Sequence, residues 1–488
     1  MREISPRAGI ARRLAAGRLS RAVWTGLYTG QWLAFTLASL LAVPVVVGQA
    51  IGLDAAGVAQ LARRTFLLAG LASLLQALWG HRYPLLEGPA GIWWATMISL
   101  GQIFPALGHP LAQLRADLEG GLLAAGLLLA VLGASGLLSR LLGLFTPAVT
   151  GSFLILVSLQ LAGPFLRGLL GLPGAGAAAP ALFHPAAAAA GLLTVGLTVL
   201  VSLRARGSLR SLGVLIGTAG GWLFWLAATR AGWLPAAPPT PAPGSGAPGP
   251  LLFPWGRPTF DAGVTLTSLL VGLFVITNLV ASLAGIGLLT GRGPTRRQTD
   301  RALLWTGVGT ALAGLGGTMG TVPFTTSVGF VAVSGVADLL PFALHAALLA
   351  ILALLPWFGA AISALPPPVA YGALLAANAQ MIAAGSRDYA RLALSTRDGF
   401  VIGITLLLGV GATQIPAGFW APLPPTLRYL VGNGTVVGVA VALLLDHLLL
   451  PARAFPPVEP AGPGRSPALR GDERAEVGGR PSSPHSAG

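Results

Sequence analysis

The sequence predicts an all-α polytopic membrane protein of about fourteen spans, arranged as two inverted seven-span repeats. Three observations predict it. Of 488 residues, 54% are hydrophobic and only 9% are charged, against roughly 25% charged in average soluble domains. A chain so apolar has too little polar surface to cover a water-soluble particle. Apolar stretches of about twenty residues recur, each long enough to cross roughly 30 Å of hydrocarbon. Two of these stretches are broken by Pro and Gly at matching positions in the two halves.

Hydropathy and interrupting charges place the span cores near 24–48, 65–80, 85–105, 119–138, 146–165, 186–203, 211–229, 263–289, 302–317, 319–337, 340–357, 368–385, 399–414 and 427–450. The first follows Arg2, Arg7, Arg12, Arg13, Arg18 and Arg21 and has no small-residue cleavage site. It therefore reads as a retained anchor and not a removed signal. Pro147-Ala-Val-Thr-Gly151 opens the fifth span and Pro368-Val-Ala-Tyr-Gly372 opens the twelfth. The third is broken at Glu87-Gly88-Pro89-Ala90-Gly91, the tenth at Val322-Pro323-Phe324-Thr325-Thr326. Seven spans per half is an odd number, so equivalent halves take opposite orientations in the membrane. Small-residue runs such as Gly314-Leu-Gly-Gly317 read as close helix packing.

The domain boundaries follow. Residues 1–22 form a basic tail, 23–234 the first repeat, 235–260 a Pro/Gly/Ala-rich linker, 261–450 the second repeat and 451–488 a disordered tail. All 30 basic residues are Arg. With a cytoplasmic N-terminus, 23 of them fall inside and 7 outside, among the latter Arg63, Arg64 and Arg115. The positive-inside rule then puts both termini in the cytoplasm, the linker outside, and the protein in the plasma membrane with the lipid bilayer as its solvent.

Composition also excludes chemistry. With no cysteine, disulfides, thiolate metal sites and cysteine nucleophiles are excluded. The six histidines have no HxxxH or HExxH spacing, so no metal site and no cofactor is expected. The net charge of +15 reflects loop arginines, with no basic helix or aromatic-rich module to bind nucleic acid. No GxSxG or Walker loop is present, so neither an enzyme nor a self-contained ATP-driven pump is expected. Secondary transport or a channel is left.

Broken spans expose backbone polar groups that protein, water or a ligand must satisfy. A half-helix N-terminus also offers free N–H donors and partial positive charge. Gly88-Pro89-Ala90-Gly91 before Trp93 fits that design, and Thr325-Thr326-Ser327 is its counterpart. A planar ligand with mixed donors and acceptors suits two such facing backbones. Glu87 is the carboxylate at a break: either a functional intramembrane acid or a helix N-terminal acid near the cytoplasmic interface. Asn278 and Gln31 are mid-span polar residues, either ligand-facing or hydrogen-bonding between helices. Asp446-His447 reads as structural, at the cytoplasmic interface.

Several of these stretches resemble the nucleobase–cation symporter-2, or nucleobase–ascorbate transporter, family of uracil, xanthine and purine permeases. Gly320-Thr-Val-Pro-Phe-Thr-Thr-Ser-Val-Gly-Phe-Val-Ala-Val-Ser-Gly335 is similar to that family's Gly-x-Pro-x-Thr-Thr signature stretch. Ile362-Ser-Ala-Leu-Pro-Pro-Pro-Val-Ala-Tyr-Gly-Ala-Leu-Leu375 resembles its twelfth span and Leu430-Val-Gly-Asn-Gly-Thr-Val-Val-Gly438 its last. Gln31-Trp32 falls where the family often has Gln-His. The resemblance spans roughly residues 20–450. It implies a core domain of spans 1–4 and 8–11, a gate domain of spans 5–7 and 12–14, and short strands within spans 3 and 10. It implies a nucleobase bound between those strands, coupled to H+ or Na+, and a homodimer through the gate. Two departures stand out: Asn278 falls where the family usually has an eighth-span Glu, and Thr326-Ser327 where it has a Glu/Gln-Asn pair. Within the expected site this leaves Glu87 as the group able to titrate and carry coupling. Sulfate-type anion transport on the same fold, or a membrane sensor that binds without moving its ligand, are the alternatives.

Overall fold

A computed structural model describes residues 21–89, 91–138, 142–172, 183–234, 252–420 and 422–451. The expected basic tail, the centre of the linker, the C-terminal tail and Ala90 lie outside the described residues.

The described chain is helical apart from two three-residue strands. The first expected span is α1 (Arg21–Leu40) and α2 (Val43–Ala50), interrupted where Pro44 enters the first turn of α2 and withholds a backbone donor. Span two is α3 (Ala55–Leu78) and span three is β1 (Glu87–Pro89) followed by α4 (Gly91–Ala106). Then come α5 (Leu111–Ser135), α6 (Pro147–Leu169), α7 (Pro185–Arg204) and α8 (Gly213–Arg230). The second half runs α9 (Ala262–Thr290), α10 (Arg296–Leu315), β2 (Thr321–Pro323) with α11 (Thr325–Ser334), and α12 (Leu339–Leu354). A short α13 (Pro356–Ser363) precedes α14 (Pro367–Tyr389), α15 (Thr396–Gln414), α16 (Pro425–Gly432) and α17 (Gly434–Leu443) with a π-helical turn, Leu444–Leu449. Among the described residues, 7 helices are long and apolar enough to cross a membrane, and α12 with α13, bent by 84°, makes an eighth. Shorter apolar helices, α11 and the α17 segment, stand at two other expected spans.

Small residues set the closest approaches. A Cβ on Gly307 would lie 2.3 Å from the Ala130 backbone nitrogen, and one on Gly126 2.4 Å from that of Ala311. The backbones of α5 and α10 therefore touch, as in small-residue membrane interfaces.

Several arginines expected in loops stand in helices, among them Arg63, Arg64, Arg115 and Arg397. Asp54 caps α3, its Oδ1 accepting from Gly57 N–H at 2.8 Å, so the helix starts ten residues before the expected core and takes in Arg63 and Arg64. Arg63 donates to Ala353 O (3.2 Å) and Leu354 O (2.8 Å), carbonyls left open where Pro356 ends α12. Arg397 is not a solvated loop residue. It lies buried in the first turn of α15, ion-paired with the buried Asp446 and donating to Leu450 O at 2.7 Å. Thr146, the N-cap of α6, donates to Asp446 Oδ2 at 2.6 Å. The structural reading of Asp446-His447 thus gains its content: this cluster ties α6, α15 and the last helix together.

Candidate functional site

Each strand ends in proline. Gly88 and Val322 precede Pro89 and Pro323, and a residue before proline is held extended. The strands pair antiparallel, Glu87 with Pro323, Gly88 with Val322 and Pro89 with Thr321, and all six residues are buried. Phe324 N–H donates to Leu86 O at 2.8 Å and extends the ladder. A two-stranded ribbon has two open edges, which are costly away from water. Three buried serines close them. Glu87 N–H donates to Ser73 Oγ (2.9 Å), Leu86 N–H donates to Ser327 Oγ (3.2 Å), and Ser282 Oγ–H donates to Pro323 O (3.0 Å). They come from α3, α11 and α9, so three helices hold the ribbon.

Half-helices α4 and α11 begin directly after the two strands. Phe324, the N-cap of α11, offers no side-chain oxygen to the first turn; Ser327 N–H turns back to Phe324 O at 3.0 Å, which leaves the Thr325 and Thr326 N–H groups as the helix-end donors. Thr325 and Thr326 are exposed there, and Ser327 is buried. Thr325 Oγ–H donates to Asn278 Oδ1 at 2.6 Å, and Ser282 Oγ lies 2.9 Å from Thr325 Oγ1. With its oxygen engaged, Asn278 presents its amide NH2 as the group able to donate to a ligand.

The structure brings Gly88, Pro89, Asn278, Thr325 and Ser327 to one ribbon. Gly91 opens α4, and Trp93 packs against the approach to β2: a Cβ on Gly320 would lie 2.4 Å from Trp93 Nε1. Glu87 is separate from Asn278 and Thr325. It is fully buried in the strand, away from any solvated helix end, and its hydrogen-bonding side chain is His81, 3.4 Å away. Arg82, in the turn before the strand, donates to Leu78 O and not to Glu87. Gln31 lines a cavity of about 570 Å³ with Leu27, Leu212 and Phe330, apart from the ribbon. Trp32 is fully buried against Phe330, Phe342 and His345. Gln31 Oε1, Trp32 Nε1, Glu87 Oε2 and Trp93 Nε1 are buried with no hydrogen-bond partner among the described residues. Sequence reasoning missed Ser73, Ser282 and His81. Ser282 had a signal, one helical turn after Asn278. Ser73 and His81 had none, because only the ribbon brings them to Glu87.

Residues 25–418 match the model of a permease family, Xan_ur_permease. The chain belongs to that family. This permease is 30% identical over 430 residues to "Putative purine permease YwdJ" of Bacillus subtilis, spanning 86% of this chain and 94% of that one. It is 28% identical to the uric acid permease PucK of the same organism, over 84% and 91% of the two chains. In fold it is similar to the transmembrane domain of the cyanobacterium bicarbonate transporter BicA, with a TM-score of 0.59 at 18% identity over 87% and 97% of the chains. The permease is therefore a multi-pass membrane transport protein and not an enzyme.

Proposed function

We propose that this permease moves a nucleobase of the oxidised-purine class, such as uric acid or xanthine, across the plasma membrane by alternating access. The base binds where α4 and α11 start, against Gly88, Pro89, Gly91, Trp93, Asn278, Thr325, Thr326 and Ser327; Gln31 and Trp32, expected to join them, stand apart from the ribbon. The observation that carries the reading is the closed ribbon with two half-helix N-termini, beside which Asn278 accepts from Thr325 through Oδ1. Such a site offers donors and partial positive charge and suits a planar ligand rich in carbonyl oxygens and ionised near neutral pH. Relatives named for uric acid agree with that chemistry. Glu87 carries coupling to protons, with Na+ the rival ion.

The architecture behind this is fourteen spans in inverted repeats. In support, α3 packs on α12 and α5 packs on α10, the pairings that an inverted seven-span relation interchanges. The antiparallel ribbon joins equivalent breaks in the same way. Spans 1–4 and 8–11 move as a core against a gate of spans 5–7 and 12–14, which also forms a homodimer contact. Both termini are cytoplasmic, a point that labelling of single cysteines placed at 245 and 470 in the cysteine-free chain tests directly.

Uptake of radiolabelled uric acid, xanthine, hypoxanthine, uracil and sulfate into a transport-null host tests the substrate. Saturable uptake of uric acid or xanthine is expected. Uptake of sulfate alone would instead establish the anion-transporter reading, which the acid-free half-helix ends favour as the alternative.

A further inference from the structure

Behind the ribbon, His81 and Glu87 are both completely buried, with His81 Nε2 at 3.4 Å from Glu87 Oε1. The imidazole is held from several sides. The His81 backbone N–H points to Gln76 Oε1 and its carbonyl accepts from Gln298 Nε2, both at 3.4 Å. Its Nδ1 accepts the Tyr83 backbone N–H at 3.0 Å. The turn that makes this bond puts Arg82 at φ 59, a left-handed conformation that side chains seldom adopt. Tyr83 is anchored in turn, its hydroxyl donating to Arg292 O at 2.7 Å.

The Tyr83 bond decides the tautomer. A ring nitrogen that accepts an N–H bears the lone pair, so the neutral ring carries its proton on Nε2. Nε2–H therefore faces Glu87. A second ring proton would have to enter at Nδ1, against the Tyr83 N–H. His81 is thus a fixed donor, and the proton that the pair can gain or lose resides on the carboxyl. Glu87 Oε2 is the vacant position, buried and without a partner among the described residues. Helix α3, packed behind β1, brings the neutral Ser73 and Gln76 to this corner. Tyr83, an ionisable group whose ring centroid lies 6.1 Å from that of His81, also stands at this corner.

We propose that His81 is the positioning residue for the coupling proton: its Nε2–H supports the ionised Glu87, and the proton binds at Glu87 Oε2 behind strand β1. The inference rests on the reading that Glu87 carries coupling. The step is one O–H bond. Oε2 takes a proton from hydronium of the aqueous side, which leaves as water; the carboxyl goes from −1 to neutral, and His81 stays neutral throughout. Because Glu87 is continuous with Gly88 and Pro89, that change of charge acts on the strand that the substrate is proposed to meet.

Infrared difference titration of the full chain in liposomes reads the carboxyl directly. A protonated buried carboxyl band that is absent in Glu87→Gln is expected. In His81→Leu the band should persist to a pH about 1–2 units higher, because the ionised form has lost a charge-assisted hydrogen bond. His81→Gln, whose side-chain N–H can replace Nε2–H, should return the midpoint most of the way. His81→Phe keeps the ring volume and serves if the Leu variant does not assemble. An unchanged midpoint in the Leu or Phe variant overturns the role of His81. Protonated-carboxyl spectra that are identical in the wild type and Glu87→Gln, leaving only bands from other buried acids such as Asp117 and Glu119, overturn both the pair and the coupling reading. A shifted midpoint in a protein that accumulates radiolabelled uric acid regardless of the pH gradient leaves the pair standing and removes the coupling role.

Discussion

Asn278 offers the sharpest test of the proposed site. Its Oδ1 is taken by Thr325 at 2.6 Å, so the amide NH2 is what a ligand would meet. Asn278→Ala removes one donor. Such a bond contributes about 0.5–1.5 kcal/mol to a neutral ligand and about 1.5–3 kcal/mol to a charged one. The expected loss in apparent affinity is about 3-fold to 100-fold, at about 1.4 kcal/mol per decade. Asn278→Asp is more telling. It keeps an acceptor for Thr325, so the local fold survives, but it replaces the donor with a negative charge. Two like charges about 4 Å apart at an effective dielectric constant of about 20 repel by about 4 kcal/mol. For an ionised purine that is roughly a thousandfold, well beyond the Ala loss. Saturation uptake of radiolabelled uric acid, with surface expression and apparent Tm measured alongside, reads both variants. If Asn278→Asp transports as well as Asn278 does, or better, the ligand presents a donor at this position and the proposed polarity of the site is wrong.

Other expected outcomes follow from the same contacts. In reconstituted vesicles Glu87→Gln should retain counterflow of substrate and lose accumulation driven by a pH gradient; full accumulation by the variant would rule out coupling through Glu87. Arg397→Met leaves the buried Asp446 unpaired and should cost about 3–5 kcal/mol, whereas Arg397→Met with Asp446→Leu should recover most of that; a double variant as unstable as the single one, read as apparent Tm in detergent, would show that the ion pair is not the coupling. Gly307→Ala places a methyl 2.3 Å from the Ala130 nitrogen and should destabilise by about 1–3 kcal/mol. An unchanged apparent Tm would mean that α5 and α10 are not in backbone contact.

The 7 to 8 span cores that appear as long apolar helices among the described residues were legible because hydropathy over about twenty residues is set by the bilayer and not by neighbouring helices. Helix ends were less legible. Arg63 and Arg397 read as loop charges, yet each lies in a helix, because carbonyls at a broken helix end or an aspartate on another helix compensate it. A sequence window does not contain those partners. The two breaks were also legible, since Pro and Gly act on their own backbone wherever they occur.

Sequence by itself therefore determined the solvent of this protein, its helical class and the two places where helices stop inside the membrane. It also placed Glu87, Asn278 and Thr325 near those stops, because composition and proline geometry act locally. Tertiary structure alone decided that the stops pair as one ribbon, that Ser73, Ser282 and Ser327 close its edges, and that the Asn278 Oδ1 accepts from Thr325. It alone set Glu87 against His81, in a direction fixed by a backbone N–H two residues further on. Hydrogen bonds have a reach of about 3 Å and a direction. Which donor meets which acceptor is therefore settled only when helices far apart in sequence have packed.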